Sequence, residues 1–300
     1  MKHNGKKLTG VMLLLLAAVM AFFSGCGRNG NTIRMATKPM TEQFILASMM
    51  KTLIEQETEL KVEVTEGVGG GTSNIQPAME KGEFDFYPEY TGSGWNAVLK
   101  ENSVYNESMF ETLQAGYDKM DMEWAGMLGF NNTYGLAVTK KCAEQYGIKT
   151  YSDLAAVSDQ LVFGAEYDFF EREDGYKALC STYDLVFQNT VDLDIGLKYD
   201  ALNQGKIDVM NIFTTDGRLS VSDAVVLTDD KGLYPSYMCG FVVRKEVLEN
   251  HPELKEVFQM VENFITDEEM ARLNFLVEAE GKSPEEAAAL FLKEKGLIKS

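Results

Sequence analysis

The chain is 300 residues long and 45% apolar, with 46 acidic and 28 basic side chains and a formal net charge of −18. So acidic a body is repelled by nucleic-acid phosphates, which excludes nucleic acid as a partner, while its apolar fraction is enough to bury real cores. Two histidines and four cysteines, with no Cys-x-x-Cys, leave out Ser-His-Asp, Cys-His and multi-histidine metal chemistry and give poor support to a disulfide framework or a zinc site.

Taken in chain order, Lys2, Lys6 and Lys7 precede an uncharged apolar run from Val11 to Phe23. That run falls short of the ~20 residues of a membrane-spanning helix, so residues 1–25 read as a signal peptide. It ends in Phe22-Phe23-Ser24-Gly25-Cys26, and small residues directly before a cysteine resemble the lipobox of bacterial lipoproteins. The resemblance implies diacylation of Cys26, a short tether over 26–31, and a protein held by lipid on the extracytoplasmic face of the cell membrane. Cleavage removes three lysines and no acid, so the exported body is more acidic still. His251 is then its single histidine, in a helix-start setting that reads as solvated.

Thr32 to Thr37 reads as a strand, and Thr41 can cap a helix whose apolar residues Phe44, Ile45, Ala47, Met49, Leu53 and Ile54 recur at helical spacing. Lys61 to Thr65 alternates as a strand does. Gly67 to Ser73 is a glycine-rich turn into a further helix; it lacks the Gly-Lys-Ser/Thr of a phosphate cradle, and no cofactor is expected. Phe84 to Tyr87 is again a strand. Strands alternating with helices predict an α/β fold with largely parallel sheets. Near the carboxyl end, Leu254, Val257, Phe258, Val261 and Phe264 form one side of an amphipathic helical region expected to pack on the body.

The most informative feature is internal. Ala78 to Tyr90 and Ala201 to Phe213 share the pattern Ala-x-x-x-Gly-x-x-Asp, with an aromatic five residues past the aspartate. Each then offers hydroxyls, Thr91 and Ser93 in the first and Thr214 and Thr215 in the second. A helix that ends at a left-handed glycine, followed by a strand, would carry the aromatic and hydroxyl to the strand's carboxyl end, where open α/β sheets bind ligands. Two lobes furnished alike predict a ligand held between them.

Aromatics gather where strands should end: Tyr87 and Tyr90, Tyr134, Phe213, and Tyr234 with Tyr237. A quaternary ammonium has no N–H to donate, so a protein holds it with electron-rich ring faces. Lys38-Pro39-Met40-Thr41-Glu42-Gln43, Phe84 to Gly92, Phe130 to Tyr134, Glu171 to Tyr176, Thr214 to Arg218 and Tyr234 to Tyr237, in that order, resemble the substrate-binding proteins of glycine betaine, carnitine and choline ABC importers. The resemblance implies a type II periplasmic-binding fold with a ligand cleft. Its lobes would be 32–136 with 240–300, and 137–239, joined by crossover strands near Leu136-Ala137-Val138 and Gly240-Phe241-Val242. It implies an aromatic cage of Tyr90, Tyr134, Phe213 and Tyr237, and a basic pair, Lys38 and Arg172, for the substrate carboxylate. Ser93 and Thr91 would add hydroxyls, and Ser73 a neutral influence on ligand choice. Phe213 stands where the family commonly has tyrosine, keeping a ring face and losing a hydroxyl. Read by itself, Arg172 between Glu171 and Glu173 is equally a surface ion pair.

The expected activity is therefore capture and hinge closure, without bond breaking, followed by delivery to an ABC permease whose ATPase is a separate subunit. Choline, proline betaine and ergothioneine-like trimethylated histidines are the alternative solutes. A surface-anchored enzyme using carboxylates is the alternative from another class.

Overall fold

The computed structural model describes residues 30–171, 175–234 and 236–298. The expected signal peptide, Cys26 as the expected lipidation site, and Arg172 lie outside the described residues. Ten strands form among those described: β1 Thr32–Ala36, β2 Lys61–Thr65, β3 Phe86–Tyr90, β4 Met122–Ala125, β5 Tyr134–Thr139, β6 Val162–Ala165, β7 Asn189–Asp192, β8 Val209–Phe213, β9 Ala224–Val226 and β10 Cys239–Arg244. Five helices matter for the site: α1 Thr41–Glu57, α2 Thr72–Glu80, α3 Ile195–Asn203, α4 Asp267–Glu278 and α5 Pro284–Glu294.

The strands make two five-stranded sheets, ordered β2-β1-β3-β10-β4 and β7-β6-β8-β5-β9. Both follow one plan. β1 lies parallel between β2 and β3, as β6 does between β7 and β8, and one antiparallel strand then follows before the edge. Successive residues of β10 and of β5 enter different cores, Phe241 and Val243 against Val242, Leu136 and Val138 against Ala137. That is the period of two expected of sheets covered on both faces, and it explains their continuous apolar runs. Leu254, Val257, Phe258 and Val261 join the first core with α1 and α5, as their spacing predicts.

The duplicated pattern is a duplicated structure. α2 and α3 each end just before a glycine in the left-handed region, Gly82 at φ 71° and Gly205 at φ 65°. The two aspartates then do the same work. The Asp85 N–H donates to Arg34 O at 2.8 Å, and its carboxylate accepts the Arg34 N–H at 2.8 Å. Asp208 exchanges the same two bonds with Val162, at 2.8 and 3.0 Å. Each aspartate thus locks a strand start beside its neighbour, and five residues later the chain arrives at Tyr90 or Phe213 at the far end of its sheet.

The passages between the sheets lie a few residues earlier than expected. Leu136 to Val138 and Gly240 to Val242 are interior to β5 and β10; Tyr134 already pairs with Phe213 in the second sheet, and Cys239 with Tyr90 in the first. The chain crosses at 130–133 and returns at 236–238. Apolar strand residues belong inside a sheet, whereas Asn131, Asn132 and Thr133 of one crossing and Ser236 of the other are polar, and the two crossings meet as a narrow ribbon. Asn131 bridges Met238, the Asn132 N–H donates to Tyr237 O at 3.1 Å, and the Tyr237 N–H donates to Asn131 Oδ1 at 2.7 Å. No helix among the described residues is long and apolar enough to cross a membrane.

Candidate functional site

The strand ends and the crossings build the site together. β3 delivers Tyr90 and β8 delivers Phe213, while the start of β5 and the segment leading into β10 bring Tyr134 and Tyr237 beside them. The Tyr134 and Phe213 rings lie 4.8 Å apart, centroid to centroid. All four rings, with Lys38, Met40, Ser93 and Asn132, line one cavity of about 260 Å³. Four of the predicted residues therefore meet as a group, and Lys38 and Ser93 join them.

Lys38 comes to the cavity already partnered. Its ammonium makes a buried ion pair with Glu89 and sits 4.6 Å from the centre of the Tyr90 ring. Glu89, with no solvent exposure, also accepts the Thr72 hydroxyl at 2.6 Å, the Tyr87 hydroxyl at 3.2 Å and the Tyr90 N–H at 2.7 Å. So well satisfied a carboxylate tolerates burial. An ammonium has three N–H donors, so bonding to Glu89 leaves donor capacity for a ligand.

A second carboxylate, Glu42 on α1, sits behind the cage. It is 2% exposed and accepts the Tyr90 hydroxyl and, at 3.1 Å, the Asn132 amide. Asn274 of α4 reaches its other oxygen at 3.5 Å. Burial pushes the Glu42 carboxyl above its ordinary range, and these hydrogen bonds pull it back only in part. Burial and the neighbouring Glu42 hold the Tyr90 phenol well above its usual value, so it remains a donor. Beneath the second lobe's ring the pattern partly repeats. Fully buried Lys198 bonds Glu166 at 2.8 Å and lies 6.0 Å from the Phe213 ring centre.

Thr91 and Ser73 do not line the cavity. Thr91 is fully buried, and its hydroxyl accepts the Met238 N–H at 3.1 Å and donates to Glu107 at 3.1 Å, so it fastens the returning crossing. Its counterpart Thr214 does likewise, accepting the Thr133 N–H at 3.1 Å and donating to Asn131 O. Both hydroxyls of the repeat serve the crossings rather than the ligand. Ser73 is exposed on α2; its neighbour Thr72 turns inward, since successive helical residues point about 100° apart. Met40, Asn132, Glu42 and Glu89 were not anticipated as site residues. The three polar ones sit inside motifs quoted above, but a buried carboxylate looks like a solvated one until its donors are seen. Cys142, Cys180 and Cys239 are free thiols, and burial raises each of them.

Known proteins resemble this chain over most of its length. The model of the OpuAC family, the substrate binding domain of ABC-type glycine betaine transport systems, matches residues 31–294. The chain is 41% identical over 287 residues to the ergothioneine transport permease/ergothioneine binding protein EgtU of Helicobacter pylori (strain G27), covering 95% of this chain and 52% of that one, so it spans about half that relative's length. It is 33% identical over 298 residues to the carnitine transport binding protein OpuCC of Listeria monocytogenes, with 96% of each covered. A solved structure, the crystal structure of a glycine betaine/carnitine/choline ABC transporter, superposes with a TM-score of 0.81 at 34% identity, covering 87% of this chain and 98% of that one. The fold is the type II periplasmic-binding architecture of two lobes around a cleft. A family match spanning nearly every described residue makes the chain a member of the OpuAC family, a solute-binding component of an ABC importer rather than an enzyme.

Proposed function

We propose that this chain captures a zwitterionic quaternary-ammonium solute, of the glycine betaine and carnitine kind, and hands it to an ABC permease. The observation that carries this reading is the convergence of Tyr90, Tyr134, Phe213 and Tyr237 on one cavity. Each ring face facing a cation contributes ~0.5–2 kcal/mol, and four, with burial of the methyl groups, reach micromolar affinity, near −8 kcal/mol. Lys38 is the one cation among the described lining residues and holds the carboxylate end with its remaining donors; Ser93 adds a hydroxyl. Arg172 supplies the second cation in this reading, on family resemblance. Because the rings come from both sheets, ligand bridges the lobes and favours the closed state, which docks on the permease. Cys26 anchors the protein by lipid on the outer face of the membrane.

A second reading, a trimethylated histidine such as ergothioneine, is favoured by the relative at 41% identity. Calorimetric titration with glycine betaine, carnitine and choline tests the main one. Saturable binding with unchanged ligand recovered is expected, and Tyr90→Ala and Tyr237→Ala should each weaken it by about tenfold or more. Unchanged affinity in both variants removes the cage; product formation removes the receptor.

A further inference from the structure

The two lobes touch beside the cage. Asn274 of α4 donates its amide to Thr215 O at 2.9 Å, and Gly217 packs its backbone against Asn274 and Phe275. Between them lies a cavity of about 60 Å³ that shares Met40, Asn132 and Phe213 with the cage. Carboxyls enter it from both sides: Glu42 of α1 and Glu278 of α4 from the first lobe, Asp216 from the turn after β8 in the second. We propose that closure of the lobes is coupled to protonation of these facing carboxyls, so that the protein holds its solute more tightly as the medium turns acid. The inference rests on the reading of capture by closure and adds a regulation of it.

No lysine or arginine lines the cavity, and the cations behind its walls are engaged elsewhere. Lys198 of α3 faces Asp216 but bonds Glu166 at 2.8 Å and the two oxygens of Asn211 at 3.0 and 3.1 Å, which occupies its three N–H donors. Arg218, near Glu278, is shared with Asp200 at 2.9 Å. On the side of Glu42, Lys38 is paired with Glu89, and the buried Cys239 thiol is held neutral. The phenols of Tyr199 and Tyr90 donate to Asp216 and Glu42 without adding charge. With the lobes together, three carboxylates would thus crowd a space shut off from water; parted lobes return them to solvent, which favours their charged forms. Burial raises all three carboxyls, and Asp216 raises Glu278 further from across the interface, against the pull of Thr41 and Arg218.

Two amide oxygens on the same walls favour the proton independently. Asn274 is 5% exposed and Asn132 is half-buried, yet the Oδ1 of each is shut off from water without a hydrogen-bond partner. The Asn274 amide is not free to turn over, because its Nδ2 is committed to Thr215 O. A carboxylate only accepts and so leaves such oxygens unsatisfied, whereas a carboxylic acid has one O–H to donate. No group of three or more such side chains among the described residues is arranged to hold a metal ion instead.

A carboxyl whose value is higher in the closed state than in the open one takes up protons on closing. Each unit of difference is worth up to about tenfold in affinity for a solute that favours the closed state. That gain is full below the ordinary values of 4.5 and 3.8, shrinks as pH rises through the raised closed-state values, and is gone above them. Titration calorimetry of the full protein with glycine betaine, in paired buffers of different ionisation enthalpy, reads affinity and proton uptake together. The ligand carboxylate stays ionised throughout, so any uptake belongs to the protein. Affinity should fall by about tenfold from about pH 4.5 to about pH 8, with net proton uptake on binding in the falling part. Glu278→Gln, which removes the acid facing Asp216, should shrink both effects, and so should Glu42→Gln. His251→Gln should change neither, since His251 sits beside Asp85 at the opposite end of the sheet from the cage. Affinity that is flat with pH, binding without proton uptake, or uptake undiminished in both acid variants overturns the coupling while leaving glycine betaine binding intact. Absence of glycine betaine binding at every pH overturns the capture reading, and the coupling falls with it.

Discussion

Gly92 follows Tyr90 by two residues and packs where the returning crossing passes. A Cβ added there would lie 2.6 Å from Ser236 O and 2.7 and 2.8 Å from two carbons of the Tyr237 ring. Each distance is well inside van der Waals contact. The Ser236 carbonyl is backbone bonded into the crossing ribbon, so the alanine must displace both that peptide and the Tyr237 ring that follows it. Gly92→Ala should therefore turn Tyr237 out of the cage without touching the ligand. Losing one ring face forfeits ~0.5–2 kcal/mol, which weakens binding by about 2- to 30-fold. The extra methyl should also lower stability by ~1–3 kcal/mol, as overpacking does. Calorimetry with glycine betaine reads the first effect and a thermal melt without ligand reads the second. A double-mutant cycle identifies the route: if Gly92 acts through Tyr237, Gly92→Ala in a Tyr237→Ala background should cost no further affinity. Additive losses, or full affinity in the single variant, refute the reasoning.

Three further outcomes are expected. Gly217→Ala places a Cβ 2.5 Å from the Phe275 N of α4, across the contact between the lobes, and should weaken ligand binding by holding the lobes apart; small-angle scattering that still shows full ligand-induced compaction would contradict this. Tyr90→Phe keeps the ring face but deprives Glu42 of its hydroxyl donor, so it should cost roughly 1–3 kcal/mol of stability while hurting affinity much less than Tyr90→Ala. The raised Glu42 carboxyl means that the native protein takes up this proton at a higher pH than the unfolded chain, whose carboxyl titrates near its ordinary 4.5. Its contribution to stability is thus full below that value and is lost as pH rises through the native one, so Glu42→Gln should raise the melting temperature at about pH 8 and change it little near pH 4. An equal shift at both would mean that Glu42 is not the group responsible.

Much of the site was legible in the sequence because the duplication carries geometry. A glycine and an aspartate at fixed spacing set a helix end and a strand start, and counting five residues on finds Tyr90 and Phe213. The roles of the aspartates and hydroxyls were not legible in the same way. Asp85 and Asp208 work at the opposite end of the strands from the ligand, and Thr91 and Thr214 face the crossings, a distinction that depends on which way a side chain leaves the backbone. The crossings themselves were displaced because an apolar strand looks alike whether it spans two lobes or completes one sheet. Glu42 and Glu89 were not legible as site residues, since most of the groups that bond them, Tyr90 and Asn132 for the first and Lys38 and Thr72 for the second, come from other parts of the chain.

The paired crossings have a bearing on tuning. Two strands of chain, each tied to a lobe by a threonine and to the other by an amide, form the ribbon through which the chain passes between the two sheets. Its stiffness sets what fraction of unliganded molecules rests shut, and apparent affinity scales with that fraction. A change at Thr91 or Thr214 would therefore act as a gain control, moving the response to every solute by the same factor and leaving the order of preference among them alone.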